Sequence, residues 1–308
     1  MFEALVFIIG LLADKKFTNF RPVLDAYISK HFSGAMAHKS LVACLHSVMA
    51  SATDPKKGQE VRTTIKALEY IFKFVIQSRL LYNRAKPSSA SAGDFKISMN
   101  ELFSSFCDLM KQRDSTVLGT QTQCLQYFAS IFPDLSKLFT MDELGQIACN
   151  FLNSITYADE ANQKLNEHKL RFMQQLVCGP LFANYSSRQI LLPALLVILR
   201  DQLHRKDSIP ITLDTVGDIL SALQANGGDP LVALASDANS SALYKDILQM
   251  VNSLLQPLLQ LAAELNAHRS HPAAGVLLAC LLSCLRLMSD QHYRDFLNGF
   301  RRYAQKKK

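Results

Sequence analysis

The chain has 308 residues, of which 49% are hydrophobic, so it can bury a large core and is not expected to be disordered overall. Its 12 glycines and 10 prolines are few for this length, which favours long helices over a turn-rich β-sandwich or barrel. The formal net charge of +7 is concentrated in the basic C-terminal tail, residues 301–308, whose five basic side chains leave +2 for the rest of the chain. That balance argues against a nucleic-acid-binding surface.

Seven cysteines are scattered singly along the chain. An odd number without a pairing pattern does not fit a disulfide framework. We therefore expect reduced, buried thiols in a cytosolic protein.

Two helical patterns joined by a charged turn open the chain. The first, Ala4–Ala13, has about half the length of a membrane-spanning helix, so it predicts a buried helix rather than an anchor. Thr18 or Asn19 can cap the second helix. Three residues at four-residue spacing predict the face of the second helix that docks on the first. These residues are Val23, Tyr27 and His31.

The next segment contains the strongest helical patterns. Ala37–Ala50 predicts one helix, and Glu60–Arg84 predicts a single helix about 40 Å long. The apolar residues of Glu60–Arg84 populate two faces, so we expect neighbouring helices to cover it on both sides. Residues 86–93 are rich in serine and alanine and predict a flexible loop.

Local signals mark helix starts and bends further along the chain. Pro193 and Pro257 lie inside apolar helical runs, which predicts one bend near Gln189 and another near Ser253. Three pairs have the spacing of a capping box, in which a side chain at each end satisfies a backbone N–H. They are Ser98 with Glu101, Thr140 with Glu143, and Ser186 with Gln189.

The succession of helical patterns predicts an all-α fold. No stretch shows the sustained two-residue alternation that is typical of a half-buried strand. We expect an α-solenoid of armadillo-like or HEAT-like helical repeats, with residues 1–308 forming a single helical-repeat region. A compact multi-helix domain is the alternative.

Catalytic and cofactor-binding patterns are missing from the sequence, including phosphate-binding glycine loops and zinc-binding HExxH. Cys280 and Cys284 stand four residues apart and suggest a metal site, but a structural zinc needs four ligands, so core thiols are favoured. We predict no catalytic, cofactor-binding or metal-binding residues and no cofactor. No residue is singled out as a partner contact.

The aromatic residues are explained by packing in a helical core. Several phenylalanines lie on apolar helical faces, which indicates a core role rather than stacking on nucleic-acid bases. Tyr293–Lys308 forms a basic amphipathic pattern that could lie on anionic lipid, although a final repeat helix packed on its predecessor is favoured. The phenylalanines assigned to the core include Phe72, Phe103, Phe106 and Phe151.

Two segments, Phe2–Phe32 and Ile65–Arg84, closely resemble the central region of the DOCK (dedicator of cytokinesis) family of guanine-nucleotide exchange factors for Rac-type GTPases. Shorter segments similar to the family follow in the expected order at Arg188–Pro193 and Asp290–Tyr293. Within the family, the sequence is most similar to the branch that contains the insect protein myoblast city.

The resemblance implies an armadillo-like helical region between a phospholipid-binding domain and the exchange domain. It also implies a parent protein that activates Rac with an ELMO partner in actin-cytoskeleton remodelling, cell migration, phagocytosis and myoblast fusion. Such a parent would be cytoplasmic and recruited to the plasma membrane.

The family's catalytic residues, its SH3 domain and a PxxP ligand are not found in this sequence, so we expect a protein-binding scaffold segment without activity of its own. That segment would have no nucleic-acid partner and little direct membrane contact. An independent helical-repeat adaptor without a role in GTPase activation, and an α-helical enzyme with an unrecognised site, are the alternatives.

Overall fold

The computed structural model describes residues 1–13, 17, 19–86, 91–155, 163–227, 238–265 and 273–288, together with 290, 293, 294 and 297. All regular structure in these ranges is helical, so the predicted all-α, α-solenoid fold class is confirmed. The helices are α1 (Phe2–Gly10), α2 (Phe20–Ala26), α3 (Ala37–Ala50), α4 (Gly58–Lys66), α5 (Leu68–Ala85), α6 (Ser91–Lys111), α7 (Leu118–Tyr127), α8 (Phe132–Leu135), α9 (Met141–Ser154), α10 (Gln163–Val177), α11 (Pro180–Ala183), α12 (Tyr185–Arg205), α13 (Ile209–Gly227), α14 (Ala238–Leu265) and α15 (Ala274–Arg286).

The chain divides into two compact units, Met1–Phe172 and Met173–Lys308. Short elements complete the first unit: a π-helical turn at Tyr27–His31 and 3₁₀ turns at Leu11–Ala13, Ser115–Val117 and Phe128–Ile131. Helix α10 contains the division between the units.

The first unit is built from helices that recur in threes. Helix α4 contacts α1 and α7, and α6 contacts α3 and α9. Between these two rows, α5 contacts the π-helical turn, α8 and the 3₁₀ turn at Phe128–Ile131. Each helix therefore packs on the equivalent helix of the next repeat, as expected for stacked helical repeats.

Equivalent helices run in the same direction. Lys96 near the start of α6 forms an ion pair with Glu143 near the start of α9. Cys107 and Ser154, near the ends of the same two helices, line one groove. His38 and Phe95, near the starts of α3 and α6, have their rings in edge-on contact at 5.6 Å. Helices α3, α6 and α9 thus form a parallel row.

The opening helices use a different face from the one predicted. Leu24 and Ile28 are buried, whereas 60% of Val23 and 47% of Tyr27 are exposed, and His31 is exposed as well. Both sides of this segment are apolar in sequence, and the packing of the π-helical turn on α5 selects the side that carries Ile28. Asn19 is the N-cap, although its side chain makes no capping bond, and Thr18 lies outside the described residues.

The prediction of one continuous helix over Glu60–Arg84 was wrong. Helix α4 ends at Lys66 and α5 begins at Leu68, because Ala67 adopts φ −91° and ψ 0°. The break lets α4 pack on α1 and α7 while α5 packs on α3 and α8. The expectation of cover on both sides is confirmed for α5, whose buried residues lie all around its axis.

Helix starts agree with the capping prediction at one of three sites. Thr140 and Glu143 form both bonds of a capping box at the start of α9. Ser98 lies inside α6, and Ser186 lies inside α12, which is capped instead by the Asn184 side chain.

The predicted flexible loop over residues 86–93 is described only in part. Lys86 lies outside a helix, residues 87–90 lie outside the described residues, and α6 already begins at Ser91.

The second unit pairs long helices. Helix α14 contacts α12, and α15 contacts both α13 and α14. Helix α12 continues past Pro193 and α14 continues past Pro257, although neither proline can donate a helical hydrogen bond. The bends at Gln189 and Ser253 stay predictions.

A cluster of buried phenylalanines lies in the core of the first unit, and the core positions predicted for Phe72, Phe103, Phe106 and Phe151 are confirmed. Ring centroids are 6.1 Å apart between Phe72 and Phe103 and 6.3 Å apart between Phe103 and Phe128. The series continues at 4.1 Å between Phe128 and Phe151 and at 5.2 Å between Phe151 and Phe172. We call these five residues the phenylalanine column, which runs from α5 to α10.

Candidate functional site

The parallel row α3, α6 and α9 presents two neighbouring grooves to solvent. The α3–α6 groove has a volume of about 500 Å³ and is lined by residues that include His38, Lys39, Arg79 and Glu101. The α6–α9 groove has a volume of about 610 Å³. Both volumes fall in the range of ligand-binding clefts, so this face of the first unit is the candidate functional site.

His38 closes the inner end of the α3–α6 groove. Its Nδ1 lies 3.1 Å from the Ala35 carbonyl oxygen, which can only accept, so Nδ1 carries the proton in the neutral ring. Its backbone N–H donates to the Ser78 hydroxyl oxygen at 2.8 Å, and that hydroxyl donates to the Gly34 carbonyl at 2.6 Å. These bonds fasten the start of α3 to α5.

The surroundings of His38 favour its neutral form. Burial lowers its pKa from the ordinary value of 6.5, and the positive charges of Arg79 and Lys39 lower it further, against the opposing effect of the Ala35 bond. The Arg79 guanidinium lies over the rings of Tyr82 and Phe95, at 5.0 and 5.1 Å. We assign a structural role to His38, since its bonds serve the junction of α3 with α5.

The α6–α9 groove carries a row of carboxamides. Gln146, Asn150 and Asn153 are exposed on α9, and Asn100 is exposed on the facing side of α6. A three- or four-residue spacing places the α9 amides on one helix face. The buried rings of Phe103 and Phe139 and the half-buried Ile147 form the apolar floor.

Charges in the α6–α9 groove are already compensated. Lys111 pairs with Asp108 at 2.9 Å, and Glu143 pairs with Lys96. The hydrogen bond from Lys96 lowers the pKa of Glu143, with further lowering from the bonds of Thr140. The groove therefore offers neutral donors and acceptors rather than net charge.

The cysteines once considered for metal binding lie in the core. Cys280 and Cys284 are buried, and the Cys280 thiol donates to the Leu213 carbonyl oxygen at 3.5 Å. Burial raises the pKa of Cys280 to about 11 and that of Cys284 to about 12. Within the described parts of the chain, no three histidine, cysteine or acidic side chains come together as metal ligands would. The basic tail, residues 301–308, lies outside these parts.

Helices α1 and α15 expose neighbouring apolar side chains. On α15, 57% of Leu278 and 57% of Leu282 are exposed, beside partly exposed Val276 and Leu285. On α1, 69% of Phe7 and 42% of Ile8 are exposed. Among the helices that the structure describes, none combines the length and hydropathy needed to cross a membrane. Exposed apolar surface of the kind seen on α1 and α15 is typical of sites that contact other protein.

Sequence reasoning named no partner-contacting residue and missed the carboxamide row. The signal was present in the α9 segment, because Gln146, Asn150 and Asn153 follow helical spacing on the side away from its apolar residues. Its facing partner on α6 could not be found in this way, since the pairing of α6 with α9 is a tertiary contact.

Comparison with known proteins adds the family context. The family described as the Dedicator of cytokinesis (DOCK) TPR region matches residues 1–307. The chain is 34% identical over 315 residues to Dedicator of cytokinesis protein 3 of Mus musculus and 33% identical over 318 residues to its Homo sapiens counterpart. It is 30% identical over 310 residues to Dedicator of cytokinesis protein 4 of Mus musculus. Each alignment covers 97% of this chain and 15% of the relative.

Proposed function

Because this chain belongs to the DOCK TPR-region family, we propose that it is a non-catalytic helical-repeat scaffold within a guanine-nucleotide exchange factor that activates Rac. The segment would hold neighbouring domains of the parent in position and offer a surface to protein partners. The chain spans 15% of the length of the curated relatives it matches. Exchange activity on Rac is therefore proposed for the whole parent protein and not for this segment alone.

The observation that carries the proposal is the exposed apolar surface of α1 and α15. Side chains such as Phe7, Leu278 and Leu282 leave more than half of their surface uncovered. Exposed apolar surface of this kind fits helices that are covered by protein partners or by other domains of the parent.

The parent's partners and setting follow from the same family assignment. We propose that ELMO and Rac bind through other domains of the parent, which is cytoplasmic and is recruited to the plasma membrane. The proposed processes are actin-cytoskeleton remodelling, cell migration, phagocytosis and myoblast fusion. The placement in the myoblast city branch stays a prediction.

A nucleotide-exchange assay tests the non-catalytic part of the proposal. The isolated chain is mixed with Rac loaded with a fluorescent guanine nucleotide, and nucleotide release is followed with a full-length DOCK protein as positive control. We expect the release rate of Rac alone. Accelerated release by this chain would contradict a scaffold role.

A binding assay tests the covered surface of α15. The remaining parts of a DOCK parent are expressed separately and used to capture this chain. Leu278→Ser combined with Leu282→Ser should weaken capture by at least about tenfold, because covering the exposed part of the two leucines contributes roughly 2–3 kcal/mol and about 1.4 kcal/mol corresponds to tenfold. Arg200→Ser, an exposed change on α12, is the matched control outside this surface. Equal capture of both variants would contradict the proposed contact.

A further inference from the structure

We propose that the α6–α9 groove binds an extended, uncharged polypeptide segment through the main chain of that segment. The inference rests on the proposed role as a protein-interaction segment and names the class of partner. It is carried by the side chains of Asn100, Gln146, Asn150 and Asn153, which line the groove.

The step from Gln146 to Asn150 matches the repeat of an extended peptide, whereas Asn153 follows after a shorter step of about 4.5 Å. Gln146 and Asn150 are four residues apart on α9, which corresponds to about 6 Å along a helix axis. In an extended chain, main-chain groups that point the same way recur every two residues, or about 6.7 Å. Helix α9 has 14 residues and is about 21 Å long, so a peptide of about seven residues would span it.

The chemistry of the amides matches the peptide backbone. Each carboxamide has both a donor and an acceptor, as each peptide unit does. The Gln146 side-chain amide donates to the side-chain carbonyl oxygen of Asn150 at 2.7 Å. Asn150 is the acceptor in this bond, so its own N–H groups are not used by it. Asn153 makes only a 3.5 Å contact with the Cys149 sulfur. Hydrogen-bonding capacity therefore remains along the whole row.

Charge and floor composition define the partner further. Because Lys111 and Glu143 are each paired within the protein, the groove gives no electrostatic preference for an acidic or a basic peptide. Alternate side chains of an extended peptide point to opposite sides. One set would contact the floor formed by Phe103, Phe139 and Ile147, so medium-sized apolar residues at every second position are expected.

Peptide selection provides the test. A display library of random peptides of about nine residues is selected against the chain, and recovered peptides are synthesised with acetylated and amidated ends. Affinity is measured by fluorescence polarisation. We expect peptides without enrichment of charged residues, and a loss of about tenfold for Asn150→Ala combined with Asn153→Ala. Gln126→Ala, an exposed amide on α7, is the matched control and should leave affinity within about twofold.

A second measurement requires no change in the protein. Methylating alternate backbone nitrogens of the best peptide removes main-chain donors on one side and should lower affinity by about tenfold in one of the two registers. The proposal is overturned if no peptide binds at about 1 mM. It is also overturned if the double variant binds normally, or if methylation in both registers is harmless. The Rac exchange assay does not depend on this groove, so failure here is distinguishable from failure of the scaffold proposal.

Discussion

Arg188 and Asp246 form an ion pair in the core of the second unit. The Arg188 Nε donates to Asp246 Oδ2 at 2.8 Å, while 4% of Arg188 and 1% of Asp246 are exposed. Gln189 also donates to Asp246, and Arg188 Nη1 donates to the Phe182 carbonyl at 2.9 Å. The pair thus joins α14 to the start of α12 with its hydrogen-bonding groups satisfied, which is the condition for burying charges.

Removing one partner of the Arg188–Asp246 ion pair should lower the free energy of unfolding. Asp246→Ala leaves the Arg188 charge buried without its carboxylate, so we expect the free energy of unfolding to fall by about 3–5 kcal/mol. Urea denaturation followed by circular dichroism measures the change. Asp201→Ala, an exposed change on α12, should shift stability by no more than about 0.5 kcal/mol. Similar losses for both variants would show that the buried pair has no special role.

His38 makes stability depend on pH. Its pKa is lowered in the folded chain, first by burial and then by Arg79, so on acidification through about pH 6.5 the unfolded chain takes up a proton that the folded chain does not. The free energy of unfolding must therefore fall as pH drops. The charges that act on the ring are those of Arg79 on α5 and of Lys39 on its own helix, and Asp94 on α6 lines the same groove.

The test compares stability at about pH 7.5 and pH 5.5. His38→Gln should make the fall in unfolding free energy smaller, by at most about 1.4 kcal/mol per pH unit, because one titrating group is removed. His46→Gln, on the exposed side of the same helix, should keep the wild-type dependence. If His38→Gln keeps that dependence too, another group is responsible for it.

At the scale of single helices, the capping box of α9 is the clearest local determinant. The Thr140 side chain accepts from the Glu143 N–H, and Glu143 accepts from the Thr140 N–H at 2.8 Å. Thr140→Ala should lower the free energy of unfolding by about 1 kcal/mol. Ser98→Ala, which matches the same sequence spacing but lies inside α6, should be within about 0.5 kcal/mol of wild type. Thermal unfolding compares the two variants. A larger loss of stability for Ser98→Ala than for Thr140→Ala would contradict the capping assignment.

Local patterns predicted helices well where tertiary packing agreed with them. Ala37–Ala50 was predicted with the bounds that α3 has. The break at Ala67 was missed because neither glycine nor proline marks it, and it arises from the different packing partners of α4 and α5. The ion pair of Arg188 with Asp246 was equally invisible, since its members are 58 residues apart. The carboxamides of α9 could be identified from the sequence. The groove that they line could not, because it is formed by the tertiary contact of α6 with α9.

At the scale of the whole molecule, the single helical-repeat region over residues 1–308 stays a prediction, and the structure divides into two compact units. Repeat proteins couple mainly between neighbours, so a local defect should be felt locally. Asp246→Ala should therefore speed amide hydrogen exchange in α12–α14 much more than in α3–α9. Phe128→Leu should have the reverse distribution. Equal loss of protection throughout the chain would support one cooperative region.

The phenylalanine column links elements of the Met1–Phe172 unit that a tensile load along the backbone would pull apart. Rings contributed by α5, α6, the Phe128–Ile131 turn, α9 and α10 touch in series, and each such contact adds about 0.5–1.5 kcal/mol to simple burial. Pulling out one helix would strip a ring from its neighbour on either side. The extension trace of this unit should consequently show one abrupt rupture rather than a staircase of small ones.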